Sequence, residues 1–141
     1  MPSKSMTRMV TATHEFWYRL TGGFIGGRFG KAPILLLTTT GAKTGRRRTM
    51  PLLYYADGEN LVIIASFGGS DHHPDWYVNL RKNPKVEVQV GRETKALIAE
   101  TASAEERARL WPPVVEMYSQ YADYQTRTKR QIPVVVLRPA E

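Results

Sequence analysis

Ile34-Leu-Leu-Leu-Thr-Thr-Thr-Gly-Ala-Lys-Thr-Gly-Arg-Arg-Arg-Thr-Met-Pro-Leu-Leu-Tyr-Tyr55 carries the strongest structural signal in the chain. Two runs of β character, Ile34 to Thr40 and Thr49 to Ala56, flank a turn bounded by Gly41 and Gly45. Aliphatic and β-branched residues favour a pleated, half-buried surface, so both runs read as strands. The turn between them carries Lys43, Arg46, Arg47 and Arg48, four cations within six residues. A hairpin tip of that composition attracts anions.

The charge of the whole chain points the same way. Over 141 residues, 20 Lys and Arg face 13 Asp and Glu, a formal net charge of +7. The partner is therefore acidic: nucleic acid, an anionic membrane face or a polyanionic small molecule. The absence of cysteine excludes disulfides, thiolate metal sites and a cysteine nucleophile. The first residues lack the apolar core of a signal peptide, and no run approaches the ~20 residues that span a bilayer, so a soluble, cytoplasmic protein is expected.

Outward from the hairpin, residues 9–20 place Met9, Thr13, Phe16, Trp17 and Leu20 near one face of a helix. Packing on the core is the favoured reading of that face, over contact with a membrane. Gly22, Gly23, Gly26, Gly27 and Gly30 make a connector, so residues 1–30 are an N-terminal appendage and 31–141 the main domain. Asp57-Gly58 turns the chain into a third strand, Leu61 to Ser66. Pro74 opens a short helix that Asn83-Pro84 ends. Val86 to Val90 and Thr94 to Thr101 form a second hairpin around Gly91. Ser103 and Glu106 have capping-box spacing and start a helix that Pro112-Pro113 should kink or split. Tyr118, Tyr121 and Tyr124 follow at every third residue, and Ile132 to Leu137 closes the chain as a strand. The order α-β-β-β-α-β-β-α-β has no long crossover. It predicts an α+β fold: an antiparallel split β-barrel of about six strands with flanking helices.

Several motifs fail on inspection. Gly41-Ala-Lys-Thr44 lacks the earlier glycine of a nucleotide P-loop and precedes a strand rather than a helix. Asp71-His-His-Pro-Asp75 has adjacent histidines that converge poorly on one ion, so a solvated loop is the reading and no metal is expected. Ser66, His72 and Asp75 spell a hydrolase triad on paper, with no nucleophile elbow around the serine. The basic tip is harder to dismiss as a solvated turn. Ser66-Phe-Gly-Gly69 ends the third strand, and its bare glycines let a flat ligand approach the backbone. The three tyrosines are either a core-edge network or a pocket wall offering hydroxyls to a substrate carbonyl.

Taken together these segments resemble the deazaflavin-dependent nitroreductases, the F420-dependent quinone reductases of the split-barrel flavin-reductase group. The resemblance rests on Leu36 through Arg48, Pro51-Leu52, Ser66 through Gly69, Pro74 through Leu80, Asn83 through Val86, Trp111-Pro112, Met117 through Gln125 and Ile132 through Val136. It covers about residues 30–138.

The resemblance implies coenzyme F420 as cofactor, whose phosphodiester and polyglutamate tail call for a basic hairpin. Lys43, Thr44 and Arg48 match the phosphate- and tail-binding positions, with Arg46 beside them and Pro51 following. Ala65, Ser66, Phe67, Gly68, Gly69, Trp76 and Asn79 match positions around the deazaflavin and its ribityl chain. Tyr118, Tyr121 and Tyr124 match the substrate-pocket tyrosines. The implied chemistry is hydride transfer from C5 of the reduced deazaflavin to a quinone or nitroaromatic-like acceptor, with Tyr121, aided by Ser66, donating a hydrogen bond or proton. Phe67 stands where the family pattern has lysine, so Arg46 or Arg47 replaces that cation, and Asp75 stands where an apolar residue is usual. The family also implies peripheral contact of residues 9–20 with the inner membrane face. The alternatives are an FMN- or haem-binding split barrel and, from another class, a nucleic-acid module using Arg46 to Arg48, which predicts steep salt dependence and no need for Tyr121.

Overall fold

One residue, Tyr54, separates the two ends of the sheet. In a computed structural model, which describes residues 28–29 and 32–140, the strands are β1 (Arg28–Phe29), β2 (Ala32–Thr40), β3 (Arg47–Leu53), β4 (Tyr55–Asp57), β5 (Asn60–Ile64), β6 (Lys85–Val90), β7 (Glu93–Thr101) and β8 (Val134–Pro139). Hydrogen bonding runs β1-β2-β6-β7-β8-β5-β4, with β3 also on β2, and every pair is antiparallel. A flat sheet holds its edges far apart, so consecutive strands β3 and β4 at opposite edges force it to curl into a barrel split between them. The expected strand 49–56 is accordingly divided at Tyr54, whose N–H donates to Pro33 O at 3.1 Å. Six strands have five or more residues, the six expected; β1 and β4 are stubs of two and three.

The helices are α1 (Asp75–Lys82), α2 (Ala104–Met117) and α3 (Gln120–Thr126). α1 opens after Pro74, as expected, and plugs the barrel. Trp76, Tyr77 and Leu80 join Leu35, Leu37, Ile63, Val88, Leu97, Val135 and Leu137 in the inner cluster. A second cluster lies between the sheet and the other two helices, built from Val62, Ile64, Leu110, Val114, Tyr121, Ile132, Val134 and Val136. Alternate residues of β5 and β8 therefore enter different cores, and both strands are continuously apolar because both faces are buried. Each such side chain contributes about 1.5–3 kcal/mol by leaving water.

Ser103 caps α2, its Oγ accepting from Glu106 N at 3.2 Å, but the Glu106 carboxylate pairs with Arg138 at 2.8 Å. The expected split at Pro112-Pro113 does not occur; α2 continues to Met117 and breaks at Tyr118. The carbonyls that the prolines leave without donors belong to Ala108 and Arg109, both exposed and so within reach of solvent. The last strand starts at Val134 rather than Ile132, because Ile132 N donates instead to the Gln125 side chain at 2.9 Å. The expected helix over 9–20 lies outside the described residues. Among the described residues, no helix is long and apolar enough to cross a membrane.

Candidate active site

The hairpin tip is a closed six-residue loop. Gly41 N donates to Arg46 O at 2.7 Å, Gly45 N to Gly41 O at 3.0 Å, and Arg46 N to Thr44 Oγ1 at 3.2 Å. Gly45 has φ +70, a conformation that glycine adopts without strain. The end of α1 pins this loop. Asn79 Oδ1 accepts from Ala42 N at 2.9 Å, Asn79 Nδ2 donates to Thr39 Oγ1 at 3.2 Å, and Lys82 Nζ donates to Ala42 O at 2.8 Å. Asn79, expected beside the cofactor, is seen here to position the tip. Among the described residues Lys43, Arg46 and Arg48 form no ion pair, whereas Arg47 binds Glu87 at 3.0 Å. Arg48 stands opposite Thr39 and shares the inward face with Met50 and Leu52. Pro51, opposite Leu36, lies on the other face, so the structure does not bring it together with Arg48.

The other end of α1 adjoins the turn Ser66 to Ser70. Phe67 adopts φ +45, unusual outside glycine, and the residue is 59% exposed. Gly68 has φ +63 and open space where a Cβ would project. Ala65 is fully buried, and Trp76, expected against the deazaflavin, is 6% exposed within the inner core, edge-on to Tyr77. Sequence reasoning missed the residue that holds this turn, Arg130, whose guanidinium binds the carbonyls of Ala65, Ser66 and Ser70. Its only sequence signal was a basic residue just before the Ile132-Pro strand.

The three tyrosines cluster, with ring centroids 4.9 Å (Tyr118 to Tyr121), 6.2 Å (Tyr121 to Tyr124) and 6.5 Å (Tyr118 to Tyr124) apart. Gln120 Oε1 accepts from the hydroxyls of Tyr118 at 3.0 Å and Tyr124 at 2.9 Å. The Tyr118 hydroxyl also lies 3.5 Å from that of Tyr124, and this hydrogen bond, together with burial, pushes the Tyr118 phenol up to about 12. Tyr121 is 6% exposed, and burial raises its pKa well above the ordinary 10. No hydrogen bond among the described residues engages its hydroxyl, nor that of Ser66. α3 touches the turn through Gly69, where backbone meets backbone. The structure thus shows a hydrogen-bonded pair, Tyr118 and Tyr124, and a buried phenol, Tyr121, whose hydroxyl no described residue engages.

Tip and turn sit at opposite ends of an eight-residue helix, about 12 Å long at 1.5 Å per residue. That separation fits a long ligand with an anionic tail at the tip and a flat head over the open backbone of Gly68. Deazaflavin with its phosphodiester and polyglutamate tail has this form, and the residues present fit it. No group of His, Asp or Glu able to hold a metal ion occurs among the described residues.

An antiparallel split barrel with a basic hairpin at one end of α1 and an open turn at the other has the architecture of the split-barrel oxidoreductases. The chain belongs to the F420H(2)-dependent quinone reductase family, which it matches over residues 9–139. It is 47% identical over 128 residues to an F420H(2)-dependent quinone reductase of Mycobacterium tuberculosis strain H37Rv, covering 88% of this chain and 86% of that one. It is similar to a solved F420-H2 dependent reductase, FDR-A, with 43% identity and TM-score 0.70 over 75% of this chain and 94% of that one. A solved chain described as a domain-swapped dimer matches with 38% identity and TM-score 0.72, over 90% of this chain and 96% of the other.

Proposed function

We infer that the protein is an F420-dependent oxidoreductase that reduces a quinone-like acceptor. The observation that carries this reading is the two-ended site along α1, with Lys43, Arg46 and Arg48 at the tip in no ion pair among the described residues, and an open turn at the other end packed on the helix of Tyr121. Family membership favours it over the FMN, haem and nucleic-acid readings. Bound reduced F420 supplies a hydride from C5 of its deazaflavin, and one hydride with one proton converts a quinone to a hydroquinone. Lys43, Thr44, Arg46 and Arg48 hold the phosphodiester and glutamyl carboxylates through charge-assisted hydrogen bonds. Ser66, Gly68 and Gly69 present backbone and hydroxyl to the head group, on a turn packed against the helix that carries Tyr121. Tyr121 stays protonated at neutral pH and donates to the acceptor oxygen that gains charge, with Ser66 as a second donor. Tyr118 and Tyr124 wall the acceptor pocket. An apolar quinone reaches such a site from lipid, which favours a cytoplasmic protein touching the membrane through residues 9–20.

The test is a fluorescence titration of the purified protein with F420 and, in parallel, with FMN, each at two salt concentrations. Binding of F420 at about micromolar or tighter, with little for FMN, supports the reading. Binding of neither, alongside salt-dependent binding of an oligonucleotide, overturns it.

A further inference from the structure

The Arg130 guanidinium has five N–H donors, and all five are engaged without a carboxylate. Nε donates to Ser70 O at 2.8 Å; Nη1 meets Ala65 O and His73 Nδ1, each at 3.2 Å; Nη2 meets Ala65 O at 3.2 Å and Ser66 O at 2.9 Å. A cation that spends itself on turn carbonyls fixes backbone rather than balancing charge. Its own position is fixed in turn: Gln125 of α3 donates from Nε2 to Arg130 O at 2.8 Å, and Thr128 Oγ1, which accepts from Arg130 N at 3.3 Å, donates to Asp71 Oδ1 at 2.8 Å.

The residue between these carbonyls is strained. A non-glycine φ of +45 at Phe67 persists only where surroundings over-determine it, and here one guanidinium grips the chain on both sides of Phe67. Peptide units are planar and trans, so tying the carbonyls of Ala65 and Ser66 to Arg130 directs the N–H groups of Ser66 and Phe67 away from it. Neither N–H donates a hydrogen bond among the described residues, and neither does the Ser66 hydroxyl.

We propose that Arg130 is a positioning residue of the active site, clamping the 65–70 turn so that its free amides and the Ser66 hydroxyl face the cofactor in register with the tyrosine helix. The clamp joins the two sides of the site, since Gln125 belongs to the same short helix as Tyr121 and Tyr124. This rests on the F420 reading above.

The test compares wild type with Arg130→Met, Arg130→Lys and, as a control of similar charge change far from the turn, Arg138→Met. Four quantities are measured: thermal midpoint, hydrogen exchange of residues 65–73 without cofactor, F420 affinity, and kcat and KM with a soluble naphthoquinone. For Arg130→Met, exchange rises in 65–73 but not in β2 or β6, F420 affinity falls at least ~10-fold and kcat falls, because several charge-assisted bonds are lost. Arg130→Lys, with three donors on one atom, recovers thermal midpoint more than affinity. Arg138→Met lowers only the midpoint. Should Arg130→Met not fold, Arg130→Lys carries the same comparison. Folded Arg130 variants with wild-type exchange in 65–73 and wild-type F420 affinity overturn the proposal. Failure of wild type to bind F420 strikes the functional reading instead, while unaltered exchange in 65–73 strikes the clamp whether or not F420 binds.

Discussion

A Cβ built on Gly69 would stand 2.8 Å from the carbonyl oxygen of Tyr124 and 3.1 Å from the Cβ of Arg127. No side chain fits there, and with φ +84 the backbone itself favours glycine. Gly69→Ala should push α3 off the turn, destabilising the fold by about 1–3 kcal/mol through overpacking and lowering kcat as Tyr121 is displaced. Thermal unfolding and steady-state kinetics check this. A variant with wild-type stability and rate would show that α3 yields freely, and that the contact does not align the site.

The four cations of the tip are not equivalent. Arg47 is paired with Glu87, whereas Lys43 is exposed and has no ion pair among the described residues. Lys43→Ala should weaken F420 roughly 10-fold, with the loss shrinking as salt rises, while Arg47→Ala should cost less. Titrations at low and high salt decide it. Equal losses for both variants would mean that the tail ignores the distinction.

Tyr121→Phe should leave F420 affinity close to wild type and slow turnover by about 100-fold, the range of one general acid. Single-turnover oxidation of reduced F420 by a naphthoquinone measures the step. An unchanged rate would remove Tyr121 from the chemistry.

The pH dependence follows from the same side chain. Burial, then the neighbouring Tyr118 and Tyr124, raises the Tyr121 pKa above 10, so the phenol remains a donor where an exposed tyrosine would ionise. The basic limb of the rate profile should therefore lie above pH 10. The linkage sign is set by the unfolded chain, which loses this proton first as pH rises through 10. Stability from Tyr121 is thus complete below pH 10 and falls above it, and Tyr121→Phe should flatten that loss in alkaline melts.

Much of the barrel was legible because its signals are local. Alternation in Val86 to Val90, the apolar run before Ser66, the Asp57-Gly58 turn and the Ser103 cap each report short-range preferences, and each stands where it was expected. The split expected at Pro112-Pro113 did not occur; the two backbone bonds lost there fall at Ala108 and Arg109, both exposed. Tyr54 was invisible because a change of sheet edge leaves no mark on β character. Of the candidate site, Lys43 to Arg48 and the tyrosines were legible from composition. Arg130 was not, because its partners lie about 60 positions away and are backbone carbonyls, which no side-chain pattern reveals.

Local pattern was enough for the six main strands, though not for the break at Tyr54, and for the basic hairpin and the tyrosine series, whose order carried the family resemblance. Those follow from backbone propensity and charge, which act within a few residues. Long-range packing alone joins the tip to the turn through α1, pairs Arg47 with Glu87, buries Tyr121 while Tyr118 and Tyr124 share Gln120, and brings Arg130 onto Ala65, Ser66 and Ser70. Those are facts of desolvation and long-range hydrogen bonding, and they exist only once the barrel has closed.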